Sequence, residues 1–440
     1  MREVGAHAES LVRGAALGAL VGVLCGAASS LFLWLLDGAT RLREGHPGWV
    51  YALPLAGLVL GWLYERFGAS IAGGNDLVLD TMHVGGPTIP LRMAPMVLLG
   101  TVATHLFGGS AGREGTAVQM GASLADGLAA RLRASPETRR RILAAGMAGG
   151  FGSVFGTPVA GAVFAMEVGT LGRVDLEAMV PAVVASVVGD LVTRGLGTGH
   201  TRYPSPPALG LTPLLLLKWV VFGAAMAAAA AVFIELTHAL KALGIKHLKR
   251  LPWRMAAGGV TVVLLWTAVG TDAYLGLGVP GIVRAFEDPT LGGWVFALKL
   301  LFTAVTLGAG FLGGEVTPMF FVGAALGSVL GRLLGIPFAL GAAVGLAAVF
   351  AAASNTPLAL TLMVTELVGS QVLPHALVVC TVAYVLAGHR SIYTTQRVAR
   401  RKDGAPLPDP VPLLSLTRWP GAPAPSGSPP PDPPPRTPDR

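Results

Sequence analysis

Thirteen apolar tracts alternate with short polar or glycine-rich stretches along this chain of 440 residues. They cover about 11–36, 52–65, 92–107, 116–130, 142–168, 177–195, 212–242, 255–270, 294–311, 316–334, 338–353, 356–368 and 372–388. A straight membrane-crossing helix needs about 20 apolar residues. Several tracts are shorter than that or carry Gly and Pro inside them. Half-length helices survive at membrane depth only where their ends face protein or a polar cavity. Transporters place ion sites at such breaks. The pattern therefore predicts an all-α, polytopic membrane protein with broken helices. The first tract follows a head of mixed charge and reads as a retained first helix, not a cleaved signal.

The tracts repeat. Thr157-Pro158-Val159-Ala160-Gly161 through Glu167 matches Thr356-Pro357-Leu358-Ala359-Leu360 through Glu366, an offset of 199 residues (356 against 157). Upstream, Gly112-Arg113-Glu114-Gly115-Thr116 matches Gly313-Gly314-Glu315-Val316-Thr317, an offset of 201 (315 against 114). Two motifs in one order at nearly one offset predict two homologous halves meeting at a central site, in the inverted arrangement common among transporters. The expected boundaries are an N-terminal cytoplasmic segment over 1–10 and a first membrane repeat over 11–200. An inter-repeat linker (201–209) and a second repeat (210–402) follow. From 403 to 440 the chain is rich in Pro, Ala and Ser and predicts a disordered tail, without a regulatory domain.

Composition agrees with the tracts. The chain is 52% hydrophobic and 13% charged, against about 25% charged in soluble domains. Its 60 glycines suit closely packed and interrupted helices. The net charge of +8 is a positive-inside signature and not a nucleic-acid one. Arg131–Arg141 and Lys241–Arg254 are the expected cytoplasmic loops, with the N-terminus on the same side. Cys25 and Cys380 stand alone in apolar tracts, so no disulfide framework, metal site or redox cofactor is expected.

Five glutamates lie in or beside the tracts: Glu114, Glu167, Glu235, Glu315 and Glu366. Glu167 and Glu366 sit at helix ends and read as acids tying down loops; Glu235, near His238 and Lys241, reads as a solvated or paired acid. Glu114 and Glu315 differ, because each follows a glycine and opens a short helical segment. An ionised side chain at membrane depth costs about 2.5–3.5 kcal/mol on insertion scales and marks a functional site by default. Gly112 and Gly115 let backbone N–H groups approach, and a helix expected from Thr116 turns its positive end toward an anion. A carboxylate there can occupy an anion site when ionised and leave it when protonated. Further donors come from the helix starts at Asn75 and Glu315-Val316-Thr317, and from the Tyr393 phenol.

At these residues the sequence resembles the CLC-type anion transporters over nearly all of 11–400. Gly112-Arg113-Glu114-Gly115 fits the family's gating motif Gly-Lys/Arg-Glu-Gly-Pro. Gly314-Glu315-Val316-Thr317-Pro318 fits Gly-x-Phe-x-Pro, and Tyr393 fits the central tyrosine. The departures are Asn75 for the chloride-coordinating serine, Thr116 for the motif proline, Val168 for the internal proton glutamate, and Glu315 with Thr317 for apolar or small residues. This combination is similar to the family's fluoride–proton antiporter branch. The resemblance implies a homodimer in the cell membrane, each subunit with its own pathway, that exports fluoride against proton entry. It implies Glu114 as the moving, proton-carrying gate and Glu315 as a second acid of the proton route. Asn75, Val316 (through its backbone N–H), Thr317 and Tyr393 would contact fluoride, with Gly112, Arg113, Gly115 and Thr116 as motif support. The alternative is a chloride–proton exchanger or passive chloride channel of the same fold. An intramembrane enzyme would need a Ser/His or paired-His constellation within the apolar helices, and the sequence offers no convincing one.

Overall fold

The computed structural model describes residues 2–83 and 86–416. The first half holds α1 (Arg2–Gly45), α2 (Leu53–Phe67), α3 (Asn75–Thr81), α4 (Met93–Leu106), α5 (Glu114–Arg131), α6 (Pro136–Phe155), α7 (Pro158–Glu167) and α8 (Met179–Gly195). The second holds α9 (Pro213–His247), α10 (Leu251–Val269), α11 (Val279–Glu287), α12 (Val295–Ala309), α13 (Val316–Leu334), α14 (Phe338–Ser354), α15 (Pro357–Val368) and α16 (Leu373–Leu386). Strands β1 (Thr170–Leu171), β2 (Arg397–Arg400) and β3 (Pro406–Pro412) form one small sheet, followed by a turn of helix, α17 (Leu413–Leu416). Among the described residues six helices are long and apolar enough to cross a membrane, while α4, α7, α12, α14, α15 and α16 are shorter apolar pieces.

Both halves break at the same place for the same reason. Within the apolar tract 142–168 one helix ends at Gly156, in the left-handed conformation (φ 73°), and Pro158 starts the next. In the second half the left-handed residue is Asn355 (φ 61°), followed by Thr356 and Pro357. Asn tolerates this region better than most residues, and its amide donates to the Arg390 carbonyl at 3.1 Å and to Gln396 Oε1 at 3.0 Å. Proline then begins the next helix, where its missing N–H removes nothing.

The halves grip each other reciprocally. Glu167, at the end of α7, accepts the N–H groups of Leu358 and Ala359 at 3.1 and 2.9 Å. Glu366, at the end of α15, accepts those of Val159 and Ala160 at 3.0 and 2.8 Å. Each acid thus caps the opening turn of the equivalent helix in the other half, where free N–H groups and the helix dipole welcome an anion. This replaces the expectation that they tie down loops. Such exchanged contacts are what a two-fold relation between halves produces. Phe151, Phe164, Phe350 and Phe320 carry the packing across the centre, with ring centroids 4.6, 6.3 and 6.1 Å apart in that order. Helices α13 and α14 approach so closely that a Cβ on Gly323, Gly327, Gly341 or Gly345 would collide with the facing backbone. This explains much of the glycine excess.

Two boundaries differ from the expected ones, and the linker between the halves is tied down. The segment 2–10 is not separate, because α1 starts at Arg2 and runs for 44 residues without a proline to stop it. It is about 66 Å long, roughly twice the hydrocarbon thickness. The linker 201–209 is fastened: Ser205 Oγ donates to the Val368 carbonyl at 2.7 Å, and the Leu209 carbonyl meets His375 Nε2 at 2.9 Å. The tail expected from 403 instead begins with structure. β3 pairs antiparallel with β2, β2 pairs parallel with β1, and Leu171, Val398 and Leu413 bury one another. Its prolines are tolerated because β3 is an edge strand. The remainder of that tail, 417–440, lies outside the described residues. Glu235 is paired, as expected, with Arg390 at 2.6 Å.

Candidate functional site

The loops that precede α5 and α13 meet back to back. Gly112 and Gly314 exchange both backbone hydrogen bonds, at 2.5 and 2.8 Å, so the two related motifs form one bridge between the halves. Neither residue has room for a side chain: a Cβ on Gly112 would stand 2.9 Å from the Gly314 oxygen and 3.1 Å from Glu114 Oε2. The bridge sets the starts of α5 and α13 side by side.

Glu114 is the first residue of α5, two residues before the Thr116 start expected from sequence, and is 1% exposed. Its carboxylate turns away from its own helix and sits on the opening turn of α13. There Oε2 accepts the Thr317 N–H at 3.1 Å, and Oε1 accepts the Thr317 hydroxyl at 2.5 Å. The Arg113 N–H also donates to Oε2 at 3.2 Å, and the Arg113 guanidinium stands 3.4 Å from Oε1. The carboxylate therefore occupies an anion seat built from a helix start, a hydroxyl and a cation. The bonds fall on Thr317. Val316, the buried first residue of α13, supplies the turn that aims them.

Glu315 lies immediately before this seat and faces the other way, 8% exposed. Asn75 Nδ2 donates to its Oε1 at 3.2 Å, and the buried Tyr393 phenol interacts with the same side chain. Asn75 opens α3 after Gly74 (φ 55°), and its buried Oδ1 has no hydrogen-bond partner among the described residues. Gly115 is the hinge of the two groups, since a Cβ there would lie 2.9 Å from Asn75 Nδ2, 3.2 Å from Gly314 Cα and 3.4 Å from Glu315 Oε2. The sequence-derived residues thus assemble into two adjoining clusters, Arg113–Glu114–Thr317 and Asn75–Glu315–Tyr393. Thr116 joins neither: its hydroxyl pairs with that of Thr101 at 2.8 Å, inside the protein.

Sequence reasoning missed several neighbours. Asp76 bonds to Thr394 and Thr395, beside Tyr393. As an acid next to the Asn75 helix start it was open to the rule that singled out Glu114. Gln396 is fully buried and bonds to Val168, Ser354, Asn355 and Ser391, residues far apart in the chain, so no local signal marks it. On the far side of Arg113 a cavity of about 770 Å³ opens, lined by Ser30, Asp37, His200 and Thr201 among others. Thr201 Oγ1 accepts from the Arg113 guanidinium at 3.4 Å, so the linker reaches the site.

The family model described as the voltage gated chloride channel matches residues 56–388. The chain belongs to that family. It is thus a multi-pass transport protein of the cell membrane. A "Chloride/fluoride channel protein" of Pseudomonas syringae pv. tomato is 43% identical over 410 residues, 92% of this chain and 90% of that protein. A voltage-gated ClC-type chloride channel of Salmonella typhi is 32% identical over 67% of this chain and 73% of its own length. Among solved structures, a CLC-type fluoride/proton antiporter superposes with a TM-score of 0.85 at 35% identity, covering 88% of this chain and 98% of that one. A slow cyanobacterial Cl⁻/H⁺ antiporter matches with a TM-score of 0.73 at 22% identity over 88% and 96% of the two chains, which speaks for the fold alone. All the site residues from Asn75 to Thr317 fall within the family match, and Tyr393 lies just beyond it.

Proposed function

We propose that this protein is a secondary transporter that exports fluoride in exchange for entering protons, with Glu114 as the moving gate. The observation that carries the reading is the seat on α13. A carboxylate, the side chain best able to exchange a proton for an anion, holds the Thr317 N–H and hydroxyl. A fluoride ion needs those same donors. Ionised Glu114 keeps the seat closed; protonated, it loses its attraction for the helix start and the Arg113 cation, and an anion can replace it. Each passage of fluoride is then tied to a proton on Glu114.

Glu315 extends the proton route. It stands between the Glu114 seat and the Asn75–Tyr393 pair, and Val168, where the resemblance places the proton glutamate of chloride exchangers, has no group to titrate. Fluoride is smaller and more strongly hydrated than chloride, so stripping its water calls for strong converging donors. The Asn75 amide, the Thr317 N–H and hydroxyl, and the Tyr393 phenol are of that kind. The similarity to the fluoride/proton antiporter structure supports the choice of fluoride, and the family resemblance carries the homodimer. Such export would remove fluoride that enters as neutral hydrogen fluoride and ionises in the cytoplasm.

The test is purified protein in liposomes loaded with fluoride. Fluoride efflux should drive proton uptake into the lumen, and a chloride gradient should drive much less. Equal or faster chloride-driven exchange would favour the second reading, a chloride–proton exchanger, which the chloride-channel names of several relatives keep in view. Anion flux without proton movement would leave a passive channel.

A further inference from the structure

Two neighbours of Glu315 come from opposite ends of the chain, its donor Asn75 from α3 and the Tyr393 phenol from the loop after α16. Something must hold them at one spacing. Asp76, the residue after Asn75, spans the gap to the two residues after Tyr393. Its Oδ2 accepts the Thr394 hydroxyl at 2.6 Å, its Oδ1 accepts the Thr395 N–H at 3.3 Å, and its carbonyl accepts the Thr395 hydroxyl at 2.9 Å. We infer that Asp76 is a positioning residue, a clamp that fixes Asn75 against Tyr393 and so sets the width of the anion path beside Glu315. It rests on the transport reading only for the identity of the anion.

The other side of the Tyr393 loop is held independently. The Tyr393 N–H donates to Ser391 Oγ at 3.0 Å, and Ser391 Oγ donates to Gln396 Oε1 at 2.6 Å. Gln396 Nε2 donates to the carbonyls of Val168 and Ser354, both at 2.7 Å. These bonds tie Tyr393 to the ends of α7 and α14, and none reaches α3. Loss of the Asp76 side chain would therefore leave Tyr393 in place and hold the start of α3 to its loop only through the Thr395 hydroxyl bond to the backbone carbonyl. The seven-residue α3 has no side-chain cap at its start, because Gly74 has no side chain to offer.

A negative charge at Asp76 also has an electrostatic effect, of opposite sign. If Asp76 acted only by repelling the anion, its removal would tighten anion binding. If it acts as a clamp, removal loosens binding, because a site displaced by a fraction of an ångström loses its aligned donors. Asp76→Ala and Asp76→Asn both remove the charge, but asparagine keeps an oxygen to accept from Thr394 or Thr395 and an amide to donate to their hydroxyls.

The experiment is calorimetric titration of the purified full-length protein with fluoride and, separately, chloride. Asp76→Ala should weaken fluoride binding on the order of tenfold or more and reduce the fluoride-to-chloride affinity ratio. Asp76→Asn should recover most of both. Should Asp76→Ala not fold, Thr394→Val with Thr395→Val removes the hydroxyl bonds from the other partner, including the one to the Asp76 carbonyl, and should weaken fluoride binding likewise. Tighter binding in Asp76→Ala, or equal effects in the alanine and asparagine variants, would overturn the clamp. An unchanged affinity ratio in the alanine variant, or in the valine pair where that is used, would do the same. Binding needs no transport, so wild-type protein that binds anions without exchanging protons would defeat the transport reading while leaving the clamp to this test.

Discussion

Replacing Thr317 by valine removes one hydroxyl while keeping the shape of the side chain, and it separates two accounts of the site. In the structure that hydroxyl donates to Glu114 Oε1 at 2.5 Å, beside the Thr317 N–H bond of 3.1 Å to Oε2. A hydrogen bond to a charged acceptor contributes about 1.5–3 kcal/mol. If fluoride takes the same seat, losing the hydroxyl costs fluoride that much, roughly a 10- to 150-fold rise in its dissociation constant. The Glu114 carboxylate, however, loses a bond of the same kind. Where gate and anion compete, the two losses offset, and the apparent shift shrinks to a few-fold. The full shift should emerge only once Glu114 is replaced by alanine and no carboxylate competes. Fluoride titration calorimetry on wild type, Thr317→Val, Glu114→Ala and the double variant measures both shifts as a double-mutant cycle. Equal shifts with and without Glu114 would refute a shared seat, whatever the transport assay gave.

Four further outcomes follow from the same geometry. Glu114→Gln cannot lose a proton and should abolish fluoride-driven proton uptake in liposomes; retained coupling would remove Glu114 from the gate. Glu315→Gln should slow coupled exchange while leaving the Thr317 seat able to bind fluoride, and wild-type turnover would return Glu315 to a structural role. Gly115→Ala places a methyl group 2.9 Å from Asn75 Nδ2 and 3.2 Å from Gly314 Cα, and should cut transport sharply in protein that still elutes as a single species. Glu366→Ala uncaps the first turn of α7 and should lower stability by about 1–3 kcal/mol, measured by thermal unfolding in detergent, with the fluoride-to-chloride ratio unchanged.

The apolar tracts determined the helical membrane architecture by themselves, because twenty apolar residues have few other stable arrangements and a Thr-Pro after Gly156 or Asn355 must break a helix. The repeat was equally legible, since Glu114 and Glu315, or Glu167 and Glu366, recur at nearly one offset. Candidate site residues could be picked out too, because a carboxylate costs so much in a membrane that Glu114 and Glu315, each opening a helical segment after a glycine, stand out. What those residues do to one another could not be read. Only the tertiary structure decided that Glu114 leaves its own helix to sit on Thr317, 203 positions away. It also decided that Glu167 and Glu366 cap each other's halves instead of their own loops, and that Asp76 joins Asn75 to the Tyr393 loop. The expected tail misled for a related reason: proline content argues against a buried core, but an edge strand needs only a partner, and β2 supplies it. Local composition fixes which segments must leave water. The pairing of polar groups across those segments depends on distances that arise only after the helices have packed, and in this protein the anion seat is one of those pairings.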